Sequence, residues 1–127
     1  MDAESHVVID HSPHRDSAGA RGATAEFLLQ HCPWADLDAV LLVVSELVAN
    51  AVRHTAGWWQ LHLRAGQDTL VVEMDDSSPL PPVPREPDFA GGGGFGWHMV
   101  LSLAAQVEVC PLPHGKRVQA TWLRQAH

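Results

Sequence analysis

The sequence predicts an α+β fold: a two-layer α/β sandwich whose mixed, mostly antiparallel sheet is covered by helices on one face. Three observations carry that expectation. Apolar residues recur at helical spacing up to about Thr55, then alternate, return to helical spacing after the glycine run, and alternate again. Two short turn-like stretches, "AGQD" and "PHGK", each join a pair of alternating segments as hairpins. With 127 residues, of which 46% are hydrophobic and 18% charged, the chain can build one core but not comfortably two. Residues 1–127 are therefore expected to form one domain, with 1–16 as an N-terminal strand and extension and about 17–124 as the core.

The elements follow in order. "SHVVIDHS" has the β-branched content of a short strand. From Ser17 to Cys32, alanines with Phe27, Leu28 and Leu29 favour a helix; Gly19 and Gly22 weaken its start and Pro33 ends it. Asp36 or Asp38 can cap a second helix running to about Thr55, where Gly57 offers a stop. In "WWQLHLRAG", Trp59, Leu61 and Leu63 alternate with Gln60, His62 and Arg64, and "TLVVEMDD" follows after the turn. "SSPLPPVPREPDFAGGGG" holds too much proline and glycine for helix or strand to persist. "WHMVLSLAAQ" is helical again, and "QVEVCPL" and "RVQATWL" make a closing hairpin.

Composition excludes several classes. No apolar run approaches the roughly 20 residues that cross a bilayer, and "MDAESHVVID" is acidic, so neither a membrane span nor a secretory signal is expected. Cys32 and Cys110 lack metal spacing and do not make a disulfide framework, which fits a cytoplasmic protein with free thiols. The net charge is −7 and the basic residues are scattered singly, so nucleic acid is not the expected partner. A small phosphate ligand stays open, because backbone amides and a metal bind phosphate without a basic patch. Nine histidines, among them His6, His11 and His14, match no metal-binding spacing.

The second helix is unusual. Leu37, Leu41, Val44, Val48 and Ala51 make one apolar stripe, expected to meet the sheet. Glu46, Asn50 and Arg53 lie opposite with His54 beside them, yet the first half of that same side carries Ala39, Leu42 and Val43. An acid and an amide in an apolar surround look like the wall of a cleft. One turn apart, a carboxylate and an amide oxygen can share a hydrated Mg²⁺ and a reacting hydroxyl. In "VEMDD", strand alternation puts Asp76 on the face of Val72 and Met74, making it the better inward acceptor; Asp75 shares the other face with Val71 and Glu73. "GGGGFG" fails as a dinucleotide fingerprint, because no strand precedes it, and as a Walker A loop, because Trp97 and His98 follow Gly96. A glycine loop opening a helix nevertheless suits a phosphate.

Taken in order, "SELVANAVRHT", "VVEMDDSSPLPPVP", "GGGGFGWHMV" and "GKRVQATWL" resemble the N box, the two glycine boxes and the closing strand of the histidine-kinase-like (GHKL, Bergerat-fold) ATPases. The similarity is greatest to the stand-alone anti-sigma-factor serine-protein kinases, and it covers about Ala18 to Leu123. It implies ATP and Mg²⁺ as ligands. Glu46 would be the general base on a serine hydroxyl and Asn50 the Mg²⁺ ligand. Asp76 would be the acceptor for the adenine amino group, and Gly94 and Gly96 the hinge points of the phosphate loop. Arg53 and His54 would line the phosphate mouth, and Ser78, standing where the family pattern has a glycine, would lie near the adenine. The implied partners are an anti-sigma-factor antagonist of the STAS type, a sigma factor, and a second copy of the chain. A different class remains beside the kinase: an adaptor of the same fold that holds a partner without transferring phosphate.

Overall fold

Asp36 starts the central helix of the molecule. Its carboxylate accepts a hydrogen bond from the Ala39 amide at 3.2 Å, and its carbonyl receives the Val40 amide at 3.0 Å, which settles the choice of cap between Asp36 and Asp38. In the computed structural model, which describes residues 5–10, 17–54, 58–77 and 96–124, the elements are β1 (Ser5–Asp10), α1 (Ser17–His31), α2 (Leu37–His54), β2 (Trp59–Ala65), β3 (Thr69–Asp76), α3 (Gly96–Leu103), β4 (Gln106–Leu112) and β5 (Gly115–Leu123). The strands form one sheet in the order β1-β2-β3-β5-β4, and all four pairings are antiparallel. The sheet expected to be mixed is thus antiparallel throughout its described strands, and the α+β class stands.

Alternation sorts the strand residues between two environments. Trp59, Leu61, Leu63 and Ala65 of β2, Leu70, Val72 and Met74 of β3, and Val118, Ala120 and Trp122 of β5 are all buried. They face the helices and join Phe27, Leu28, Val40, Val44, Leu47 and Val48 in one core. At about 25 cal/mol per Å² of apolar surface, each fully buried Leu or Val is worth roughly 1.5–3 kcal/mol against its exposed state. That burial holds the two layers together.

The core face of α2 is broader than the stripe predicted for it. Val44, Val48 and Ala51 are fully buried as expected, but Leu37 and Leu41 are only half-buried. Ala39 and Val43, expected on the outer side, are buried with Val40 and Leu47; of that outer set only Leu42 is exposed. The physical reason is that α2 has neighbours on several sides. It packs against α1 and α3 as well as against β3 beneath it. A helix flanked by two others buries well over the third of its circumference that a surface helix hides.

One turn is fixed by backbone contact. The β4–β5 hairpin closes with Leu112 opposite Gly115 and two residues between them. A Cβ on Gly115 would stand 1.8 Å from the Asp76 carbonyl oxygen and 2.8 Å from its carbonyl carbon, so the start of β5 is pressed directly on the end of β3 and admits only glycine. Gly22, exposed on α1, has nothing within 4 Å of such a Cβ. The two glycines therefore respond oppositely to alanine in chemical denaturation. Gly115→Ala is expected to destabilise by about 1–3 kcal/mol or more through overpacking, and Gly22→Ala to stabilise by about 0.5–1 kcal/mol through helix propensity.

Candidate functional site

The end of β3 carries two adjacent carboxylates that the strand sends to opposite faces. Asp76 points to the helix side, where it is 2% exposed, and stands directly opposite Lys116 of β5 and Trp59 of β2. The Lys116 ammonium, 4% exposed, donates to both carboxylate oxygens, at 3.0 and 2.9 Å. Inward orientation of Asp76 agrees with its predicted parity. Lys116 was not singled out in the sequence, although the signal was present: it shares its strand parity with Val118, Ala120 and Trp122, all inward. A lysine at an apolar parity position needs a partner, because burying a lone ammonium costs several kcal/mol.

Glu46 and Asn50 lie one turn apart on α2, both half-buried. Next to Glu46, the Ser45 hydroxyl donates to the Leu41 carbonyl at 2.9 Å and so is held by its own helix. Because α2 packs on β3, the helix that bears Glu46 and Asn50 lies over the strand that ends in Asp76. Arg53 and His54 form the last turn of α2, but their side chains fall outside the described residues. Gly96 is the first residue of α3, and α3 packs against α2. Ser78 and Gly94 lie outside the described residues, as does the rest of the segment between Ser77 and Gly96.

Among the described residues no group of three or more His, Cys, Asp or Glu side chains could hold an ion. An amide oxygen such as that of Asn50 fits Mg²⁺ as one ligand among waters and substrate phosphates, the usual manner in which this ion is held. A groove of about 530 Å³ between β1 and α1, lined by Ser5, His6, Glu26, Phe27 and His31 among others, has none of the predicted site residues in its wall.

The opposite face of the sheet holds a separate polar network. Asp75 receives a two-pronged contact from Arg117, Nε to Oδ1 at 2.7 Å and Nη2 to Oδ2 at 2.8 Å. Arg64 donates to Glu73, and Arg117 Nε lies 3.5 Å from the other Glu73 oxygen. The two arginines cover the acids so well that Glu73 and Asp75 are 4% and 6% exposed on a face where no helix lies among the described residues. Hydrogen bonding to Asp75 raises the Arg117 pKa. His62 stacks on His6, with ring centroids 5.6 Å apart. Burial lowers the His62 pKa, and repulsion from His6, Arg117 and Arg64 adds to this, outweighing the attraction of Asp75.

Residues 11–122 match the histidine kinase-like ATPase domain family. That match takes in most of the chain, and the protein belongs to this family. ATP binding is the function that membership supports, and the antiparallel sheet with helices agrees with the fold of the family. No curated protein matches the chain. Among the described residues, no helix is long and apolar enough to cross a membrane.

Two outcomes are expected from the charged groups. Lys116→Met leaves the buried Asp76 carboxylate without its cation and should cost about 3–5 kcal/mol in denaturant titration, whereas the double variant Asp76→Asn/Lys116→Met should recover much of the loss. The depressed His62 pKa means that folding favours the neutral ring. This contribution is complete above the ordinary imidazole value of about 6.5 and is lost as the pH falls through the folded value. His62→Gln should therefore lose less stability than the wild type between about pH 7 and about pH 5, read from denaturation midpoints at each pH.

Proposed function

We propose that the protein is an ATP–Mg²⁺-binding regulator that transfers the γ-phosphoryl group to a serine or threonine hydroxyl of a partner protein. The observation that supports ATP binding is the family match over residues 11–122, on a fold in which the helix with Glu46 and Asn50 lies over the strand that ends in Asp76; transfer to a hydroxyl rests on Glu46 within the resemblance of "SELVANAVRHT". In this reading Asp76 accepts a hydrogen bond from the amino group of adenine. Asn50 contributes its amide oxygen to the metal, which when bound supplies charge neutralisation at the phosphates. Gly94 and Gly96 bring backbone amides to the phosphate oxygens, and Arg53, His54 and Ser78 line the rim. Glu46 takes the proton of the acceptor hydroxyl, whose oxygen attacks the γ-phosphorus while ADP leaves. Phosphoryl transfer needs chiefly positioning and charge neutralisation, so a helix, a loop and one carboxylate suffice as machinery.

The resemblance of "SELVANAVRHT" and the boxes after it supports a narrower assignment. The acceptor would be a STAS-type anti-sigma-factor antagonist, a sigma factor would be held on the same protein, and the protein would act in the cytoplasm, with a homodimer as its working form. A second reading has its own observation. Asp76 is engaged by Lys116 on both oxygens, which favours a nucleotide-blind adaptor if that pair never opens to a base.

Titration with ATP–Mg²⁺ separates these readings. A hundredfold excess of ligand over Kd should stabilise the wild type by about 2.7 kcal/mol, seen as a rise in melting temperature. Asn50→Ala should abolish that rise. If millimolar ATP–Mg²⁺ leaves the wild type unmoved, the nucleotide site is refuted. Glu46→Ala should keep the thermal shift and lose phosphate transfer to the partner; equal transfer by the variant would refute the kinase assignment.

A further inference from the structure

Two histidines meet on the open face of the sheet, on the side away from Asp76 and α2. In the β1–β2 ladder His6 stands opposite Arg64 and His62 opposite Val8, so the two rings are diagonal neighbours on adjacent strands. Their planes lie within 21° of each other, and His62 Nδ1 faces His6 Nε2 at 3.4 Å with hydrogen-bond alignment. That separation is long for a hydrogen bond, which usually spans about 2.7–3.2 Å. It matches two imidazole nitrogens that share one ion: each about 2.0–2.1 Å from a tetrahedral Zn²⁺, they stand about 3.3–3.4 Å apart.

The other nitrogen of His62 supplies a second observation. Nε2 is buried and has no hydrogen-bond partner, and Asp75 Oδ2 lies 3.8 Å from it. An ion on Nδ1 leaves the ring proton on Nε2, in the field of that carboxylate, which is how ligating histidines are commonly oriented. Asp75 is itself held by Arg117, so its position does not depend on the ion. Arg64 and Arg117 border the pair, but Glu73 and Asp75 offset their charge and so reduce the repulsion that a cation would meet. We propose that His6 and His62 together hold one zinc ion, which fastens β1 to the sheet. β1 is the end strand of the described sheet and pairs only with β2. No third His, Cys, Asp or Glu among the described residues joins the pair, so water fills the remaining positions, entering from the exposed side of His6. Two protein ligands make the ion exchangeable, and β1 is fastened in this way only while zinc is at hand. Imidazole suits zinc, whereas Mg²⁺ takes oxygen, which keeps the site distinct from the ion that accompanies ATP.

The test is calorimetric titration of the full chain with Zn²⁺ alone, in the presence of excess Mg²⁺, paired with thermal melts. The wild type should bind one Zn²⁺ at this pair and melt at a higher temperature with zinc than without it, since an ion held by the folded state stabilises that state. His6→Gln and His62→Gln should each weaken zinc binding by about tenfold or more and remove the rise in melting temperature. His6 is exposed, so its variant carries the test if the His62 variant does not fold. His114→Gln, at an exposed position in the turn between β4 and β5, should bind zinc as the wild type does. Absence of saturable zinc binding by the wild type overturns the proposal, as does zinc binding that survives unchanged in His6→Gln. Equal weakening by His114→Gln overturns it too, since the ion would then be spread over surface histidines. Displacement of the zinc by Mg²⁺ would also refute a site built on imidazole.

Discussion

The contact of Gly115 on the end of β3 is the constraint from which the rest of the molecule is arranged. β3 and β5 are neighbours in the sheet although α3 and β4 lie between them in the chain. Closing so long a connection has an entropic cost, which only a well-specified pairing offsets. The specification is local and steric: one residue without a Cβ lets two backbones approach where any side chain would collide. Once they meet, the ladder runs from Asp76–Lys116 to Thr69–Leu123, and the buried faces of β2, β3 and β5 become one surface for α1 and α2.

That surface explains why α2 is apolar almost all round. A nucleotide cleft over the outer side would account for some of its pattern, but α1 and α3 account for more. Ala39 and Val43 are buried because α2 has helices beside it as well as the sheet below. Glu46 and Asn50 are half-buried on this crowded helix, a placement that costs little only if each finds polar company. The helix is therefore specified by packing on most of its circumference, and chemistry is confined to what is left.

Much of this was legible in the sequence. Strand parity in "WWQLHLRAG" and "TLVVEMDD" assigned Leu61, Leu63, Val72 and Met74 to the core face and Asp76 beside them, because a period of two admits no other sorting. The second helix could be bounded from its caps, but its buried arc could not, since a helical wheel shows where apolar residues lie and not how many neighbours will cover them. The order in which strands pair is equally silent in a local pattern. Lys116 shows the same limit at the candidate site: its inward parity was readable, but its partner lies 40 positions away and is joined only by the β3–β5 pairing. Of the residues expected around the phosphates, Asn50, Arg53 and His54 belong to α2 and Gly96 opens α3, whereas Gly94 falls on the segment rich in proline and glycine, where no periodicity exists to read.

Asp75 and Asp76, neighbours in the chain, each have a cation of their own opposite them: Arg117 for the first and Lys116 for the second. The pairing works as a vernier between the two strands. Sliding β5 by one residue would turn the Arg117 guanidinium into the apolar layer and Lys116 out to the open face, undoing two charge pairs and reversing every side chain of the strand at once. Frame-shifted sheets are thereby made unstable as well as unfavoured, and the consecutive acids serve as a two-mark scale against which the closing strand can be set down in only one position.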